Sequence, residues 1–415
     1  MSGKIAIIGS GPSGCYLAQA LVKLCPDAEI TIIDKLCTPY GLIRYGVAAD
    51  HQGTKAVTRQ FARLFEKQGV SFIGNLEIGT DMTLTELREC MDVVVLATGL
   101  YADRHFDVTG AELQGIYGAG EITRFWNAHP DSENFKPEFG ETVTVLGNGN
   151  VALDIIRLLA KSEADFDGSD FNTAHINNGI QTIHVVGRSP LEQAKFDAVM
   201  VRELRGISGL ECKLADDDTL TVEDGNQVSE ALNELFSTEL GNPAKQVIFH
   251  SGWQVEEFTG DNGRLSSVVL RSAKSQARKT IPCDCVITAI GFEDKSMFTR
   301  DTLLQNAQNS ESGMVESGLF VAGWFKRGPT GTIPENRTDS QQVAEGISEW
   351  MKSNTGKKPG RSAITSRFAS KVTSYEDWLT INDIELRFAA ENRCRQKIAT
   401  RSAMMAAIEQ QKEPA

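Results

Sequence analysis

Two glycine-rich segments have the spacing that lets a backbone approach a pyrophosphate. Gly9-Ser10-Gly11-Pro12-Ser13-Gly14 reads G-x-G-x-x-G, and Gly147-Asn148-Gly149-Asn150-Val151-Ala152 reads G-x-G-x-x-A. The first glycine of such a segment makes the tight turn, the second leaves room for the phosphates, and the third lets a helix pack close to a strand. The start of that helix offers unpaired N–H groups and a partial positive charge to an anion.

The residue ending the next strand differs between the two. Asp34 stands 20 residues after Gly14. A carboxylate there accepts hydrogen bonds from ribose hydroxyls and repels a 2′-phosphate, so the first segment suits FAD or NAD. At the second segment the same place reads Gly187-Arg188-Ser189, with no carboxylate. An arginine there can grip a phosphate through paired hydrogen bonds, which favours NADP. Two unlike dinucleotides are expected: FAD, held, and NADPH, exchanged.

The elements that must position these residues are legible around them. Lys4 to Ile8, Glu29 to Ile33, Val143 to Leu146 and Thr182 to Val186 read as strands. Gly14 to Leu24 and Val151 to Leu159 carry apolar residues at helical spacing. The runs Val93 to Gly99 and Val286 to Gly291 each end in a glycine and are expected to supply a later strand of the same kind of sheet. The chain thus repeats one βαβ unit with a closing strand. Val247 to His250 and Leu265 to Leu270 flank Asn262-Gly263, a pair that favours a tight hairpin turn.

Composition narrows the class. A net charge of −13 argues against a general nucleic-acid binder. No apolar run is long enough to suggest membrane insertion, and the first strand starts almost at the N-terminus, so a cytoplasmic protein is expected. Eight cysteines form no Cys-x-x-Cys pair. Cys283 and Cys285 are expected to pack within strands, and no metal centre is expected.

With both glycine segments placed, nearly the whole chain resembles the adrenodoxin reductase family of ferredoxin–NADP reductases. The resemblance rests on Gly9 to Gly14, Pro39 to His51, Gly147 to Asp154, Val201 to Arg205 and Gly323 to Ile333. It implies an α/β fold of two Rossmann-like dinucleotide-binding domains, in a glutathione-reductase-like architecture with a discontinuous FAD domain. The FAD domain is expected over residues 1–103 and 319–415, with the NADP domain over 104–318.

The resemblance also implies roles. Gly9, Gly11, Ser13, Gly14, Asp34 and Leu42 would line the FAD, with Leu76 or Ile78 near its adenine. Trp324, Gly331, Thr332 and Ile333 would contact the flavin, the last two through backbone N–H groups. Gly147, Asn148, Gly149, Asn150, Val151, Arg188 and Ser189 would bind NADP. Gly331 would border the nicotinamide, and His51 and Glu203 would stand beside it as candidate catalytic residues. His51 has the alternative of anchoring a loop. One position departs: the family places two arginines where this chain has Arg188-Ser189, so NADH use stays open.

The reaction so implied carries electrons from NADPH through flavin to a ferredoxin-type iron–sulfur protein. The missing Cys-x-x-Cys pair removes the disulfide relay of thioredoxin-reductase-like relatives. An acidic partner calls for basic docking residues, and Arg202 with Arg205, or Lys55 with Arg59 and Arg63, are candidates, the latter three reading first as a solvated helix face. Two other functions compete: a flavin reductase acting on quinone or oxygen, and a redox-sensing protein that binds nucleotide without turnover.

Overall fold

The computed structural model describes residues 3–172, 175, 179–216, 218–331, 333–354, 356 and 358–412. The chain divides into two compact units, one of residues 1–102, 127–133 and 292–415, the other of 103–126 and 134–291.

In the first unit, the strand Lys4–Ile8 lies between Glu29–Ile33 and Val93–Leu96, parallel to both. Ser71–Ile73 extends one side, and Leu319–Val321 with antiparallel Met314–Glu316 extends the other. Strands rich in Ile and Val suit cover on both faces, and Val93–Leu96 is buried throughout. The helix begins at Pro12, two residues before the expected Gly14. Proline costs nothing at a first helical position, because its missing N–H would have no partner in the helix. The helix packs against Ile333–Met351, with Leu17, Leu21, Val343 and Ile347 in one core.

The second boundary falls at Phe292 rather than near Leu319. Phe298, Leu303 and Leu304 pack against the core that holds Val94 and Phe325, which draws this stretch into the first unit. Residues 127–133 join it as well. Asn127 Nδ2 donates to the Val47 carbonyl at 3.0 Å, and the His129 ring meets Tyr45 edge-on.

The second unit repeats the plan. Its parallel sheet runs Ile116–Gly118, Cys285–Thr288, Thr142–Leu146, Thr182–Gly187, Lys245–Ser251, Leu210–Leu214. Cys283 and Cys285 are buried, as packing residues should be. The hairpin turn forms at Asn262 and Gly263, both with positive φ. Its strands differ from the expected pair: Trp253–Asp261 pairs with Arg264–Ser272, while Lys245–Ser251 enters the parallel sheet. Val247 and Phe249, two residues apart and so on one face of this strand, are fully buried, a cover that the sheet interior supplies. The polar run within Trp253–Asp261 tolerates a half-exposed hairpin.

Candidate dinucleotide sites

The two glycine turns are built alike. Gly9 N donates to the Ile33 carbonyl at 2.8 Å, and Gly147 N to the Val186 carbonyl at 2.9 Å. Ala97 N donates to Ile8 O, and Ala289 N to Leu146 O, both at 2.7–2.8 Å. Each turn therefore leaves the carboxyl end of a strand that has a parallel neighbour on either side, the usual place for a ligand in a doubly wound sheet.

The three glycines of the first turn have three different constraints. Gly9 has φ +107°, and a Cβ there would stand 2.5 Å from the Ala97 carbonyl oxygen. A Cβ on Gly14 would strike the Gly9 carbonyl. A Cβ on Gly11 would meet nothing within 4 Å, so this glycine leaves open space beside the first turn of the helix. The second site matches: Gly147 is crowded by Ala289, and Gly149 opens on space. At Ala152 the methyl is accommodated, fully buried. Open space over the middle glycine at each helix start fits a pyrophosphate.

Asp34 closes the first site from the end of its strand. Its Oδ2 accepts from Ser10 N at 2.8 Å and from Ser10 Oγ at 2.5 Å, and its Oδ1 accepts from Leu36 N at 2.9 Å. The carboxylate is thus aimed before any ribose arrives, with a lone pair left on Oδ1.

The segment Pro39 to Tyr45 crosses the glycine turn. Tyr40 N donates to Ser10 O at 3.2 Å, and Gly41 lies so close that a Cβ would stand 3.1 Å from Gly11 Cα. Leu42 remains 41% exposed, an apolar side chain with room for a cofactor against it. The segment is pinned by Arg44, whose guanidinium donates to Glu385 at 2.5 Å and lies over the rings of Tyr45 and Trp378. By contrast, Leu76 and Ile78 bury their side chains in the core. Only their backbone groups would be left for an adenine.

The C-terminal half of the first unit reaches the same turn. Ser13 Oγ donates to Asn336 Oδ1 at 2.9 Å, and Arg327 donates to that oxygen at 3.0 Å. Gly323 has φ +65°, and a Cβ there would collide with Ser13 Oγ. Asp339 accepts from Gly323 N at 2.7 Å and pairs with Lys326 at 3.0 Å. Trp324 stacks on Phe292, and its buried indole N–H has no hydrogen-bond partner among the described residues. A buried donor left open costs free energy unless a ligand takes it. Gly331 has φ +87°. Thr332 lies outside the described residues, and Ile333 opens the helix Ile333–Met351.

In the second unit, both amide atoms of Asn148 are buried without a hydrogen-bond partner among the described residues. The side chain lies against Gly187, where any Cβ would collide with it. Asn150 is tied down by Asp197 N at 2.7 Å, Val151 is 37% exposed, and Arg188 and Ser189 are exposed. Glu203 lies on the helix Ala198–Leu204, 3.4 Å from Arg157 Nε. His51 is half-buried and precedes the short helix Gln52–Lys55, accepting from Lys55 N.

Neither docking candidate stands as a free basic stripe. Arg202 and Arg205 both pair with Glu234, at 3.3 and 3.5 Å. Lys55 is buried, donating to Asn127 Oδ1 at 2.6 Å, which leaves Arg59 and Arg63 exposed. Asn336 and Asp339 were not anticipated from the sequence. Their spacing of three places them on one helix face, a signal that could have found them.

Two parallel-sheet units, each with an open glycine turn and an unlike group at the next strand end, define an α/β protein for two dinucleotides. The chain belongs to the pyridine nucleotide-disulphide oxidoreductase family, matched over residues 3–311, and within it to the adrenodoxin reductase type. It is 42% identical over 410 residues to cindoxin reductase of Citrobacter braakii, covering 97% of this chain and 90% of that one. It is 31% identical over 458 residues to the mitochondrial NADPH:adrenodoxin oxidoreductase of Arabidopsis thaliana, covering 97% and 95%. Among solved structures, FprA from Mycobacterium tuberculosis in complex with NADPH superposes with a TM-score of 0.90 at 25% identity, over 99% of this chain and 100% of that one. No described helix is long and apolar enough to cross a membrane.

Proposed function

We propose that this chain is an FAD-dependent reductase that moves electrons from NADPH to a ferredoxin-type iron–sulfur protein. The observation that carries this is the pair of open glycine turns with opposite charge at the next strand end, Asp34 at one and Arg188 at the other. FAD, when bound, supplies the chemistry that turns a hydride into single electrons.

The chain's own residues hold and orient the two nucleotides. The helix start at Gly11 and Asp34 would secure the FAD pyrophosphate and ribose, and Leu42 would cover the cofactor. The Trp324 indole and the backbone after Gly331 would meet the flavin. Asn148, the helix start at Gly149 and Arg188 would bind NADPH. His51 and Glu203 would orient the nicotinamide or handle a proton. The relatives' names support an iron–sulfur acceptor.

Anaerobic stopped-flow mixing tests the reading. NADPH should bleach the flavin, and an added ferredoxin should restore its colour faster than a quinone does. Protein that bleaches but returns electrons only to quinone would mark a flavin reductase instead. Protein that never bleaches would not be a reductase.

A further inference from the structure

The segment that follows Arg188 returns to the glycine turn of the second site. Lys195 N donates to the Asn148 carbonyl at 3.0 Å, and Lys195 forms a parallel bridge with Gly149. Two residues on, Asp197 N donates to Asn150 Oδ1 at 2.7 Å. The backbone of Lys195 is therefore fixed beside the residue whose missing side chain leaves open space. Bridged residues stand about 5 Å apart, within reach of a four-carbon stem. The side chain is exposed, and no carboxylate among the described residues pairs with it. The nearby Asp197 carboxylate is engaged in capping, accepting from Val199 N at 2.8 Å.

We infer that Lys195 binds phosphate at the second site and contacts the pyrophosphate rather than the 2′-phosphate. The inference rests on the reading of this turn as a dinucleotide site. Its physical basis is position. Arg188 extends from the strand end, where the adenine ribose lies in this fold. Lys195 is bridged to the glycine at the helix start, where the pyrophosphate lies. Two cations thus serve the nucleotide although Ser189 is not one of them. They act on different phosphates: Arg188 selects, and Lys195 adds affinity that any pyrophosphate-bearing nucleotide shares.

The test is calorimetric titration of the flavin-loaded protein with NADP+ and, by competition, with 2′-AMP, which has no pyrophosphate. Lys195→Gln is expected to weaken NADP+ about tenfold, the scale of one charge-assisted hydrogen bond. It should leave 2′-AMP within about twofold, and Lys195→Arg should retain NADP+ binding. Unchanged NADP+ affinity in Lys195→Gln, or an equal loss for NADP+ and 2′-AMP, would overturn the assignment. Wild-type protein that binds neither nucleotide would instead remove the reading of the site itself. A melting curve matching wild type excludes misfolding as the cause.

Discussion

Ser13 Oγ and Asn336 Oδ1 meet at 2.9 Å, joining residues 323 positions apart in the chain. The bond ties the helix proposed to receive the first pyrophosphate, Pro12–Leu24, to the helix Ile333–Met351. Arg327 donates to the same oxygen, so Asn336 coordinates two segments of the candidate FAD site at once. Asn336→Ala should weaken FAD retention by about tenfold, the cost of leaving buried donors unmet. Fluorescence titration of apoprotein with FAD measures this. Retention equal to wild type would show that the contact is incidental.

Gly11 and Gly14 should fail in different ways. Alanine at Gly14 would press a methyl into the Gly9 carbonyl and destabilise the fold by about 1–3 kcal/mol. Alanine at Gly11 meets open space, so the protein should fold with a nearly unchanged Tm but lose flavin. Thermal melts and flavin content, measured together, separate the two. A Gly11→Ala protein that keeps its flavin would contradict the placement of the pyrophosphate.

Nicotinamide preference should rest on Arg188. Arg188→Gln is expected to lower the NADPH-to-NADH ratio of kcat/KM by about tenfold, and Ser189→Arg to raise it by a similar factor. Steady-state assays with both nucleotides give the ratio directly. If Ser189→Arg leaves it unchanged, the second cation of the family pattern has no target in this chain.

The buried pair of Arg44 and Glu385 should matter more when broken than when kept. The Glu385 carboxylate is fully buried and also accepts from Arg395 and from Ile398 N. Glu385→Ala strands the Arg44 charge and should cost about 3–5 kcal/mol. Urea unfolding would read this as a lower midpoint. A loss under about 1 kcal/mol would mean that the Arg44 segment is held by its aromatic contacts instead.

The second unit should lose stability in mild acid. His184 is held down to about 4 from its usual 6.5, by burial and then by the charge of Lys279. Its Nδ1 lies 3.0 Å from His250 Nε2, and Lys279 Nζ lies 3.1 Å from the other nitrogen of that ring. The unfolded chain takes up the His184 proton near pH 6.5, and the folded chain only near 4. Stability is therefore full above about 6.5 and falls as pH drops towards 4, by about 3 kcal/mol in all. Unfolding of His184→Gln across this range should show a flatter acid limb.

The glycine spacing, Asp34, Arg188 and the strand runs around them were legible because each is a local requirement. A tight turn, a close helix and a strand covered on both faces each restrict a few neighbouring residues. The hairpin partner was not legible. Val247 to His250 is apolar enough for either a hairpin or a sheet interior, and only the parallel strands Thr182–Gly187 and Leu210–Leu214 decide it. The basic stripe failed similarly. Lys55 shares helical spacing with Arg59 and Arg63, but a separate short helix turns it inward to Asn127.

By itself the sequence determined that two nucleotide turns exist and that they carry opposite charge, since residue type and spacing suffice for both. Tertiary structure decided what surrounds them. Asn336 reaches the first turn because one helix packs on another, Asp339 of the same helix holds Gly323, and Lys195 reaches the second turn because its loop folds back. Such long-range contacts depend on how whole faces bury against each other, and that is written in no short stretch of residues.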